Sequence, residues 1–174
     1  MESRAFLWMS RIGLTLEWVG LGVWVGGLAI LVAAVIPAVF NTFGGQDSGG
    51  LFLTRAFEGF NRAVMAVMVV LIAGIVWRRS VQHPALAPTA FEMWVLGVMV
   101  CIAAVIIGVL HPQAAALQAE AFAIKDEAAR KAALAAFFKI HMPVRALYMV
   151  NLCLGILLMG VRVNHTLRVS KSQT

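Results

Sequence analysis

The sequence predicts an all-α integral membrane protein: a four-transmembrane-helix bundle with an extra amphipathic helix between spans three and four. Three observations carry this. Of the 174 residues, 61% are hydrophobic and only 13% charged, against roughly half and a quarter in soluble domains. Four long apolar runs recur, and the first is uncharged from Trp18 to Phe40, well past the roughly 18 residues that mark a spanning helix. The basic residues are dispersed between these runs, so the clustered face that a nucleic-acid partner needs is missing. A formal net charge of +6 points instead to anionic lipid head groups. The whole chain, 1–174, reads as a single membrane domain, with spans at about 14–40, 58–77, 91–110 and 143–161.

Residues 1–13 are short and basic, with Phe6, Leu7, Trp8 and Met9 suited to the membrane interface. The apolar run that follows is too long for a signal-peptide core, so it is expected to stay as an uncleaved span. In lipid the backbone must satisfy its own hydrogen bonds, so this run is helical. Gly22, Gly26, Ala29 and Ala33 place a smooth stripe on one face, where small residues let another helix approach. Pro37 is expected to end or kink the helix. The glycine-rich FNTFGGQDSGG reads as a turn, and LFLTRAFEGFNR as an interfacial helical turn entering span two. Arg78 and Arg79 stop that span.

The next connection carries Pro84 and Pro88 and is a loop. Thr89 as N-cap with Glu92 three residues on fits a capping box for span three. Gly97, Cys101, Ala104 and Gly108 repeat the small-residue spacing of span one, which predicts close packing of spans one and three. Cys101 and Cys153 fall inside spans and read as buried small hydrophobes. Residues 112–139 are alanine-rich with scattered charge and predict an extramembrane helix, which either extends span three into water or folds back over the bundle, its apolar face Leu117, Ala121, Ile124 and Ala128. Pro143 then starts span four, and a basic tail follows. An even number of spans puts both termini on one side. Arg4, Arg11, Arg78, Arg79, Arg162, Arg168 and Lys171 fall on that side, and Arg55, Arg62, Lys125, Arg130, Lys131, Lys139 and Arg145 on the other. The first set lies in short segments hugging the spans, which places both termini in the cytoplasm and the protein in the cell inner (plasma) membrane, multi-pass.

Few residues carry chemistry. Glu17 is an acid at the entry of a span, which is costly and by default functional; the plain alternative is an interfacial carboxylate that is solvated or paired with Arg11. His111 ends span three and His141 precedes span four, so both meet the same membrane face. They are the candidate cofactor or metal ligands, for haem b or copper. Set against that reading are two imidazoles satisfied by water. His83 and His165 lie in loops and read as solvated. On span four, Tyr148, Asn151 and Gly155 share the face of His141. Asn151 needs a hydrogen-bond partner, which gives either an interhelical bond or a polar lining for a small molecule. Met65, Met68, Met149 and Met159 read as core filler, or as a soft path for copper. A nucleophile–base pair, a phosphate loop and paired carboxylates are all missing from the sequence.

Three stretches together, EWVGLGVWVGGLAILVAAVIPAVF, GGLFLTRAFEGFNR and FFKIHMPVRALYMVNLCLG, resemble an uncharacterised four-helix membrane family that includes the cisplatin-resistance-associated transmembrane protein. The pattern of Trp24, Gly26 and Gly27 is also similar to the copper-resistance D (CopD) family and the HemJ-type protoporphyrinogen oxidases. The resemblance implies four spans and a histidine before the last, here His141, followed by Asn151. Glu17 stands where CopD-like and HemJ-like first spans carry a histidine.

The function expected is that of a polytopic membrane protein without its own catalytic centre, in an accessory, binding or stress-resistance role. The alternatives are a haem- or copper-binding redox subunit using His111 and His141, and a small transporter or channel subunit using Glu17 and Asn151. The expected partners are the lipid bilayer, and other membrane subunits or a second copy, with no nucleic acid.

Overall fold

The computed structural model describes residues 4–43, 46–81 and 86–171, all of them in helices or short turns. His83 and Pro84 lie outside the described residues. Six α-helices, α1 (Arg4–Ile30), α2 (Ile36–Phe43), α3 (Gln46–Ser80), α4 (Ala90–Val105), α5 (His111–Ala123) and α6 (Glu127–Lys171), form four long rods. Each rod is long and apolar enough to cross a membrane, and the protein is a multi-pass membrane-type bundle. α1 and α2 make one rod through a π-helical turn at Leu31–Val35, and α4 and α5 make another through a second such turn at Ile106–Leu110.

Both π turns precede a proline, and the proline explains them. A proline has no N–H, and its ring clashes with the carbonyl four residues back. Here the preceding turn widens to five-residue bonds, Ile36 N–H to Leu31 O and His111 N–H to Ile106 O. The chain thus passes Pro37 and Pro112 without ending the helix. Of the two expectations for Pro37, the helix does not end there: α2 continues span one to Phe43, and the irregularity is the π turn before the proline. α2 ends at Phe43 and α3 begins at Gln46 and takes in the whole of LFLTRAFEGFNR; Gly44 and Gly45 of the expected turn lie outside the described residues.

The expected helix at 112–139 is not continuous, and of its two expected dispositions the extension of span three is the one its first part takes. Its first part, α5, prolongs span three, and its second part begins α6. Between them Ile124 is extended, with φ −77° and ψ 124°. Asp126 then starts the new helix by accepting the Ala129 N–H at 2.8 Å, an N-cap bond reinforced by Glu127 at the positive end of the helix. Alanine propensity is equally satisfied by one helix or by two, so it did not reveal the turn. α5 and the first part of α6 pack against each other as a hairpin extension of the bundle. Pro143 lies inside α6 rather than at its start. It sits on an exposed face with Met142 and Lys139, where the carbonyl it frees can be reached from outside the bundle.

α1 packs mainly on α3 and α6, and α4 on α6, so spans one and three lie across the bundle's diagonal. The expected contact between their small-residue stripes is therefore corrected. A Cβ built at Gly22, Gly26, Gly97 or Gly108 meets nothing within 4 Å, and Gly97, Cys101, Ala104 and Gly108 all face outward. Cys101 and Cys153 are likewise exposed free thiols, not buried ones. The glycines that allow close approach are others. A Cβ at Gly155 would lie 2.5 Å from Val25 Cγ2, and one at Gly27 would lie 3.0 Å from Phe60. The main core gathers Leu21, Trp24, Val64, Leu71, Met99 and Leu158 from all four spans, and a second cluster sits around Leu28, Ile106, Val144 and Tyr148. Met68 and Met159 pack against the main core, whereas Met65 and Met149 face outward, so these four do not line a common path.

Overpacking a tight helix contact costs about 1–3 kcal/mol, while an outward substitution costs within about 0.5 kcal/mol. Gly155→Leu should therefore lower the melting temperature of the detergent-solubilised protein clearly, and Gly26→Leu should leave it nearly unchanged. The opposite ranking would mean that the small-residue stripe, not Gly155, is a buried contact.

Candidate functional site

Two polar sites lie at opposite ends of the bundle. At the end that gathers the termini, four charged side chains converge, one from each span. Glu17 comes from α1, Arg78 from α3, Glu92 from α4 and Arg162 from α6, and they are only 1%, 5%, 2% and 6% exposed. Arg78 Nη2 lies 3.1 Å from Glu17 Oε2 and donates to Glu92 Oε1. Arg162 Nη2 lies 2.9 Å from Glu17 Oε2, and its Nε lies 2.9 Å from Glu92 Oε1. Each carboxylate thus touches both guanidiniums in a closed, neutral ring. Only the Arg78–Glu92 contact has hydrogen-bond geometry; the other three are ion pairs off the hydrogen-bond angle. Gly74 of α3 makes the room, because a Cβ there would collide with the Glu17 carboxyl.

Glu17 is therefore neither solvated nor paired with Arg11. A buried charge in an apolar setting must be paired, and the partners come from the ends of spans two and four. Thr89 does cap α4, accepting from the Glu92 N–H at 3.1 Å. The Glu92 side chain, read from sequence as the returning half of a capping box, turns into the ring instead. Sequence reasoning missed Arg78, Glu92 and Arg162. The available signal was that one charge sits at the same end of every predicted span.

Midway along the bundle lies a small polar centre. Tyr148 Oη donates to Asn61 Oδ1 at 2.8 Å, joining α6 to α3. Asn151 Nδ2 donates to the Met99 carbonyl at 3.2 Å, joining α6 to α4. Interhelical bonding is thus what Tyr148 and Asn151 do. Asn61 was missed because it sits beside Arg62 and reads as interfacial.

At the hairpin end a cavity of about 300 Å³ opens between α2, the start of α3, α5 and the start of α6. Its walls are largely aromatic and aliphatic, among them Phe40, Leu53, Phe57, Phe122, Phe137 and Phe138. The polar groups that reach it are Thr54, His111, Gln118, His141, Arg145 and Tyr148. His111 and His141 are therefore brought to one cavity, as their placement at one membrane face predicted. His141 stacks on Phe137, with centroids 4.8 Å apart at 29°. Thr54 Oγ1 donates to Gln118 Oε1 and ties α3 to α5. Gly50 lets this contact form, since a Cβ there would lie 2.6 Å from Gln118 Nε2. Glu120 is exposed and does not line the cavity. His165 is half-buried on α6 rather than fully solvated. Among the described residues, no group of three or more His, Cys, Asp or Glu side chains is placed to hold a metal ion.

The geometry can now be set beside known proteins. A family model described as a domain of unknown function, DUF4149, matches residues 19–123, which is 105 of the 174 residues. The chain belongs to the DUF4149 family. The DUF4149 match takes in Asn61, Arg78, Glu92, His111 and Gln118, and leaves Glu17, His141, Arg145, Tyr148, Asn151 and Arg162 outside it. No curated protein and no solved structure matches the chain, so CopD, HemJ-type and cisplatin-resistance-associated proteins stand only as loose sequence resemblances.

Removing one partner of a buried ion pair leaves an uncompensated charge and costs about 3–5 kcal/mol. Glu17→Gln and Arg162→Gln should each destabilise the protein strongly in nanodisc melts, and the double variant should lose less than the two losses added. Additive losses would show that the four charges are not coupled.

Proposed function

We propose that this protein is a membrane binding protein without a catalytic centre of its own, and that its ligand site is the cavity at the hairpin end. One observation carries the reading. A recess of about 300 Å³ with mainly apolar walls and a few converging polar groups is the form that small-molecule sites take. The ion ring supports the same reading from the other side. Its charges are paired with one another and buried, which leaves Glu17 without the exposure a transport site needs. On this reading the chain sits in the cell inner (plasma) membrane with both termini cytoplasmic. Arg4, Arg11 and Arg79 next to the spans support that orientation. Its partners are the bilayer and, across the outward small-residue faces, other membrane subunits or a second copy.

A second reading, as a haem- or copper-binding redox subunit, is favoured by the sharing of one cavity by His111 and His141. Two imidazoles are a donor set for haem iron or copper. Such a group would supply electron transfer, and the two histidines would hold it.

Protein purified in mild detergent should show no Soret band and no stoichiometric copper. Native mass spectrometry should detect a small co-purified ligand that falls at least tenfold in Ala114→Phe, where a phenyl ring fills the cavity. Equal ligand retention in that variant would reject the cavity. A Soret band that disappears in His141→Ala would put the redox reading in first place.

A further inference from the structure

The cavity has an electrical asymmetry as well as an apolar wall. Arg145 stands on its lining, and none of the lining residues is acidic. Among the described residues Arg145 has no carboxylate partner. Glu58, on the neighbouring α3, is engaged by Arg55 at 3.0 Å and Arg62 at 2.7 Å. Arg145 also marks a boundary. The 16 residues from Ala146 to Val161 are uncharged and span about 24 Å at 1.5 Å per residue, close to the thickness of a hydrocarbon core. The guanidinium therefore stands at the edge of the hydrocarbon, and Phe40, Phe57 and Phe137 line an apolar recess in the same cavity.

We propose that the cavity takes a single-chain amphiphile with a carboxylate head, the carboxylate against Arg145 and the chain among the phenylalanines. This rests on the cavity being the ligand site. One guanidinium presents a planar fork that matches one carboxylate in a bidentate pair. His111, His141 and Tyr148 add hydrogen-bonding groups around the same space. The volume, near the lower end of the roughly 300–1,000 Å³ of small-molecule sites, suits one chain rather than two.

Native mass spectrometry of the full chain in non-ionic detergent, with dodecanoate, dodecanol and a two-chain phosphatidylglycerol as probes, tests this. Dodecanoate should bind at one equivalent and at least tenfold more tightly than dodecanol. Arg145→Gln, a change on an exposed position, should remove that preference and leave the melting temperature unchanged. Ala114→Phe should abolish binding of both single-chain probes, and Leu134→Trp serves in its place if that variant does not fold. Equal binding of dodecanol and dodecanoate, with both lost in the filled cavity, would overturn the carboxylate class and keep the cavity as the site. Tighter binding of phosphatidylglycerol would overturn the single-chain class. Binding that ignores both filling variants would overturn the site itself.

Discussion

Every span of this bundle contributes one charge to a single buried ring, and the rest of the structure depends on that constraint. A lone carboxylate or guanidinium at the edge of a hydrocarbon layer is expensive. Glu17, Arg78, Glu92 and Arg162 avoid the cost only by meeting. Meeting requires that spans one to four reach the same depth and turn the correct faces inward. The ring thus selects one register and one rotation for each helix, a role attested for buried polar groups elsewhere. Apolar packing alone gives weak selection in lipid, because lipid tails are as apolar as leucine.

The glycines follow from the same requirement. Gly74 is where α3 yields space to the Glu17 carboxyl, and Gly155 is where α6 meets Val25 and Met99. Gly22 and Gly26 lie on a helix face that neither constraint reaches. A regular small-residue spacing is visible in sequence on any face, lipid-facing or buried. What distinguishes Gly74 is the carboxylate opposite it, at the entry of another span's apolar run.

The fold was legible because it rests on composition and length. Four apolar runs that must be helical follow from the absence of water in the layer. Boundaries failed where one physical rule admitted two outcomes. Pro37 either ends a helix or widens its preceding turn, and the alanine-rich 112–139 satisfies helix propensity with or without the break at Ile124. The site was legible in part. His111 and His141 could be assigned to one face by counting spans, and the cavity does join them. Arg78, Glu92 and Arg162 were not recognised, because each taken alone sits where a charge ordinarily meets water. Only their coincidence at one level signals a ring, and that coincidence depends on helix rotation, which periodicity leaves open when both faces are apolar.

The order of these features along the axis favours the proposed binding over passage. From the termini end the axis meets the ion ring, then Leu21, Leu71, Met99 and Leu158, each fully buried, then the Tyr148–Asn61 and Asn151–Met99 bonds, and last the cavity. A polar solute moving the whole way would have to cross a layer whose side chains offer it no hydrogen bond, and then a ring whose charges are already paired. Each step is unfavourable for a polar group in a dry interior. The cavity is therefore a recess at the hairpin end, with Tyr148 the lining residue nearest the apolar layer. That form suits a molecule that enters from the interface and leaves the same way.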